Sequence, residues 1–140
     1  MASLIPDSLL ADVFAGNVNT SHTFKMMLCT SAYTPSRAHN RRDDVTNEVS
    51  GNGYTAGGAT VTLTITTDTT NHKTTLTVGG ASWASSTITA RTAVIYRARG
   101  GASSADELVM IIENPANVSS SGTTFAVAAS TWEIPHPTPV

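Results

Sequence analysis

Hydrophobic and polar residues alternate most strictly over residues 60–67, where Val61, Leu63 and Ile65 face one way and Thr60, Thr62, Thr64 and Thr66 the other. A period of two is that of a half-buried strand. The alternation resumes over residues 74–78 through Leu76 and Val78, beyond a polar turn at residues 68–73, so the two segments read as a hairpin. Phe24, Met26 and Leu28 make one face of another strand. Residues 87–97 form a further strand with Ile88, Ala90, Val94 and Tyr96 inward; its imperfect parity predicts an irregularity near Arg91. The run Leu108, Val109, Met110, Ile111 and Ile112 is apolar on both faces, as in a central strand, and Pro115 is expected to end it. Phe125, Val127 and Ala129 give one more alternating face, which Trp132 and Ile134 extend.

Only one segment has a helical period. Leu9, Leu10, Val13 and Phe14 recur at near-helical spacing behind Pro6 and Asp7, and Gly16 can close the turn, so a short amphipathic helix is predicted over residues 7–15. Short strands separated by Gly, Asn and Pro turns predict a mainly β fold, a β-sandwich or small jelly-roll-like barrel with that one N-terminal helix. Residues 1–134 read as one domain, and Pro135, Pro137 and Pro139 make residues 135–140 an extended tail. Residues 31–50 have little periodic apolar content and read as a long exposed loop.

Composition narrows the function. Charged residues make up 13% of the 140, about half the usual share, with Thr, Ser, Gly and Ala in their place. The net charge of -2 gives no field that would draw nucleic acid or an anionic membrane as partner. Cys29 is the single cysteine, so no intrachain disulfide is available, and the simplest reading is folding in a reducing compartment. The first residues lack the features of a signal peptide, and no apolar run reaches membrane-spanning length.

Candidate chemistry is scattered. His22, His39, His72 and His136 sit in connectors or in the tail without ligand spacing, and Cys29 lies in an apolar run that favours a buried, inert thiol. Asp43, Asp44 and Glu48 offer oxygen ligands, but not at the spacing of a calcium loop, and Arg41 and Arg42 stand beside them. The glycines at 51, 53, 57 and 58 precede a Thr-rich strand and lack the lysine and helix of a phosphate loop. No catalytic, cofactor or metal residue is assigned, and a non-enzyme is expected. What remains is interface chemistry, with Tyr33, Arg37, Arg41, Arg42, Asp43, Asp44 and Glu48 in the loop and Pro135, Pro137 and Pro139 in the tail as candidate contacts. Exposed Trp83, Tyr54 or Trp132 would instead suit a carbohydrate-binding module, as stacking platforms.

The segment from Phe24 to Pro35 (FKMMLCTSAYTP), the segment from Asn47 to Gly58 (NEVSGNGYTAGG), Trp83 and the stretch from Ile88 to Tyr96 (ITARTAVIY) resemble a family of small structural proteins of tailed bacteriophages. The resemblance runs from about Leu9 to Trp132. It implies a virion protein made in the host cytoplasm, with the major capsid protein and copies of itself as partners. A capsid decoration or cement role leads, and a tail, neck or fibre protein is the alternative. The loop with Arg37, His39, Arg41 and Arg42 and the tail from Pro135 to Val140 depart from the family pattern and would adapt the chain to its own partner.

Overall fold

Two clusters of apolar side chains, one on each face of a single sheet, organise the chain. The computed structural model describes residues 2–138. Its strands are β1 (Ala2–Leu4), β2 (Phe24–Cys29), β3 (Ala59–Val61), β4 (Leu63–Asp68), β5 (Lys73–Val78), β6 (Ala81–Ser86), β7 (Thr89–Arg97), β8 (Leu108–Ser119), β9 (Thr123–Val127) and β10 (Ser130–Pro135). One helix, α1 (Leu9–Phe14), lies between β1 and β2. The protein is mainly β, every strand pairing is antiparallel, and the layered arrangement is sandwich-like.

The main sheet has the order β1-β8-β7-β2-β3. Register sets which residues share a face: Leu28 lies opposite Ala93, and Ala93 opposite Ile112, while Met27 lies opposite Val94, and Val94 opposite Ile111. The first row joins Met26, Ile95 and Met110 in the larger cluster, packed against Trp83 and Phe125 from the β6-β9 pair and Leu63, Leu76 and Val78 from the sheet β10-β5-β4. The second row joins Cys29, Tyr96 and Leu108 in a smaller cluster on the opposite face. Residues 108–111 are therefore fully buried, as the run apolar on both faces predicts. Each such Leu, Ile or Met contributes roughly 1.5–3 kcal/mol by leaving water.

Four expectations need correction. The segment of residues 60–67 is two strands, because Thr62 breaks it and sends β3 into the main sheet and β4 into the three-stranded one. Pro115 does not end β8, which continues to Ser119. The ladder slips there, between the pairs Thr92–Glu113 and Ala90–Val118, so the missing N–H of Pro115 costs no regular bond. That slip is the irregularity predicted near Arg91. Trp132 and Ile134 do not extend the face of Phe125 and Val127, since β9 pairs with β6 while β10 pairs with β5 in another sheet. Finally, α1 is only six residues long and turns Leu9 and Asp12 inward, leaving Leu10 and Phe14 exposed.

Gly58 shows how closely backbone approaches backbone where β3 joins β2. It has φ +83°, and a Cβ there would overlap the Met26 carbonyl; Gly100 has the same φ of +83° with open space around it. Comparing Gly58→Ala with Gly100→Ala therefore separates backbone strain from steric clash. Urea unfolding is expected to show a loss of about 1–2 kcal/mol for Gly100→Ala and a clearly larger loss, or no folded protein, for Gly58→Ala.

Candidate functional site

The loop of residues 31–50 is the covering layer of the second face. Tyr33 is 4% exposed and packs in the smaller cluster, its hydroxyl 2.8 Å from His39 Nδ1. Burial first, then the neighbouring Cys29 and Asp44, push the Tyr33 phenol up to about 12. Arg42 donates from Nε to Asp106 Oδ2 at 2.8 Å and lies 5.1 Å over the Tyr96 ring. Arg41 reaches the buried Asp12 at 3.4 Å. Asp44 Oδ2 accepts from the backbone N–H groups of Asn40 and Arg41, and these bonds hold its carboxyl below the usual range. Short bridges tie the loop to strand ends, Glu48 to Cys29 and Arg41 to Glu107.

Of the interface residues expected from sequence, Tyr33, Arg41, Arg42, Asp44 and Glu48 are thus committed to the protein's own fold. Arg37 and Asp43 remain exposed, as do Pro135 and Pro137. Pro139 lies outside the described residues. The aromatic platforms also change: Trp83 is 6% exposed, its ring centroid 5.8 Å from Tyr54 and 6.2 Å from Phe125. Trp83 is a core residue, and Tyr54 and Trp132 are half-buried.

Glu48 organises the glycine-rich segment that follows it. Its Oε2 accepts from the Tyr54 hydroxyl at 2.6 Å and from Gly57 N–H at 2.7 Å; the Tyr54 oxygen in turn accepts from Leu28 N–H at 3.0 Å. Tyr96 donates to the Gly57 carbonyl at 2.6 Å. Burial and then the Glu48 hydrogen bond raise the Tyr54 phenol. Gly51 lies against the Thr87 carbonyl with no room for a side chain. Residues 47–58 therefore form a hydrogen-bonded staple that closes one end of the sheet.

Two clefts open on the surface. An apolar crevice of about 290 Å³ lies between β7, β8 and β9, lined by Leu28, Ala90, Ile112, Val118 and Phe125, with Arg91 as its one ionisable group. Arg91 Nη2 already donates to the Pro115 carbonyl. A shallower cleft of about 370 Å³ has Glu48 as its one ionisable group, already bonded as described. Among the described residues, no three His, Cys, Asp or Glu side chains converge as a metal ion would require, and no helix is long and apolar enough to cross a membrane. Burial, and then Glu48, push the Cys29 thiol up to about 12.

The residues that sequence reasoning did not name as candidate contacts are apolar and exposed: Phe14 at 87%, Ile65 at 46%, Leu10 at 43% and Val118 at 42%. A helix of two turns cannot bury both sides, which is the signal that would have found Leu10 and Phe14. No family model, curated protein or solved structure matches this chain.

Three outcomes follow from these contacts. Glu48→Ala leaves the Tyr54 hydroxyl and Gly57 N–H without their acceptor and is expected to cost about 1–3 kcal/mol in denaturant unfolding. The Cys29 thiol should stay unreactive toward a disulfide reagent at pH 8 in the folded protein and react at once when unfolded. Burial raises the Glu107 carboxyl, but the hydrogen bond from Arg99 and the charges of Arg99 and Arg97 outweigh it, and the net shift is downward. Its stabilisation is present above the unfolded value of about 4.3 and lost as pH falls through the lower folded value. Glu107→Gln should accordingly flatten the acid limb of a stability–pH curve.

Proposed function

We propose that this chain is a structural protein of a tailed-phage virion, a decoration or cement protein seated on the outer face of the major capsid protein lattice. The observation that carries the reading is the exposure of Phe14, with Leu10 one helical turn away, on a chain whose core already buries its other phenylalanines. An apolar ring left in water is free energy held for a partner. The resemblance of the segments at residues 24–35, 47–58 and 88–96 to phage structural proteins points to what that partner is, and the low share of charge, 13%, suits a surface spent against neighbours. Arg37 and Asp43, which stay free on the covering loop, and the proline-rich end of the chain are further contact elements.

The mechanism is mass action on assembly. Contacts that exist only between neighbouring subunits of a finished shell make its expansion or rupture cost more, without a pocket or a reacting group. Copy number in purified particles tests the proposal by quantitative mass spectrometry. Hundreds of copies per particle are expected for a capsid role, a few to a few tens would move the chain to the tail or neck, and absence from the particle would end the virion reading.

A further inference from the structure

The sheet β10-β5-β4 has one apolar face and one polar face. Its apolar rows are Leu63-Val78 and Ile65-Leu76-Trp132, and its polar rows are Thr64-Thr77-Thr131 and Thr66-Thr75-Glu133. Its inner end is buried against the main core, while residues 64–67 are all exposed.

Two hydrogen bonds fix which backbone groups of this sheet point outward. Gly79 N–H donates to the Thr62 carbonyl at 2.8 Å, and His136 N–H donates to the His72 carbonyl at 2.7 Å. Bonded and non-bonded pairs alternate along an antiparallel ladder. Residues 64, 66 and 68 of β4 therefore bond to β5, and Leu63, Ile65 and Thr67 aim their N–H and C=O groups away from the sheet. By the same alternation β10 aims Thr131, Glu133 and Pro135 outward.

The two outer edges differ in kind. β10 presents a proline, which has no N–H to offer, and a charged Glu133, both devices that keep an edge from pairing. β4 presents Leu63, Ile65 and Thr67, with no charge, proline or bulge among them. The remaining edges are poorer templates: β1 and β3 are three residues long, the pairing of β6 with β9 slips between Trp83 and Ser86, and β9 borders the apolar crevice.

We infer that the free edge of β4 pairs antiparallel with β4 of a second copy of this chain about a two-fold axis beside Ile65. Self-complementarity selects that occupant. All three outward residues find outward partners only if Leu63 meets the partner's Thr67 and Ile65 meets the partner's Ile65. That register sets Thr66 against the partner's Thr64 and Asp68 against the partner's uncharged Thr62, so no like charges face each other. Three facing pairs exchange about six backbone hydrogen bonds, the two sheets become one of six strands, and the half-exposed Ile65 is covered by its own counterpart. An isologous contact of this kind closes at two copies. It stands whether or not the chain belongs to a virion.

Sedimentation equilibrium on the full chain over about a 100-fold concentration range should give twice the chain mass of 14.6 kDa at the upper end. Ile65→Lys puts a charge on the edge, and Thr67→Pro removes an N–H used only by the partner; both should sediment as monomers with an unchanged circular dichroism spectrum. Amide exchange on the unaltered chain gives an independent reading. Ile65 and Thr67 should exchange about tenfold or more slower in the concentrated than in the dilute sample, while Thr64 and Thr66, bonded to β5, should not change. A monomer or trimer at every concentration, a dimer that survives either substitution, or protection at Ile65 and Thr67 that ignores concentration would each overturn the inference.

Discussion

A sheet whose middle strands are apolar on both faces must be covered twice, and the rest of this structure follows from that need. β2, β7 and β8 carry Met26, Leu28, Ile95 and Ile112 on one side and Met27, Cys29, Val94 and Ile111 on the other. The second layer of strands covers the first side, through Trp83, Phe125 and Leu76. No strands remain for the second side, so the segment of residues 31–50 folds back over it. A loop that covers a core has to place its polar backbone and charges somewhere, and here the charges pair with buried carboxylates, Arg42 with Asp106 just ahead of β8 and Arg41 with Asp12 of α1.

The same constraint explains the glycine-rich segment of residues 47–58. Glu48 and Tyr54 bond to each other and to the end of β2, and Gly51 and Gly58 lie where backbone touches backbone. Their chemistry is that of closure. Closure of this kind leaves partners to the surface around it, where Phe14, Leu10 and Ile65 remain exposed.

Much of the fold was legible because period two is a direct image of a sheet with a wet side. The hairpin of β4 and β5, the doubly buried β8 and the irregularity near Arg91 all come from that pattern. What was hidden depends on distant partners. Polarity made residues 31–50 look free, whereas Arg41 and Arg42 were polar because Asp12, Asp106 and Tyr96 wait for them across the fold. Ile65 obeys the alternation perfectly and is still half exposed, since alternation gives the face of a strand and not what lies beyond it. Pro115 lost its force as a terminator because the opposite strand slips at the same place.

Native-state hydrogen exchange of the covering loop tests the account most directly. The amides of Val49, Arg42 and Thr30, which bond to Leu28, Asp106 and Asn47, should exchange only through global unfolding, with the same opening free energy as the amides of β8. Exchange of these three at the rate of an open loop, while β8 stays protected, would mean that the second face is bare and that the two-sided core is wrong.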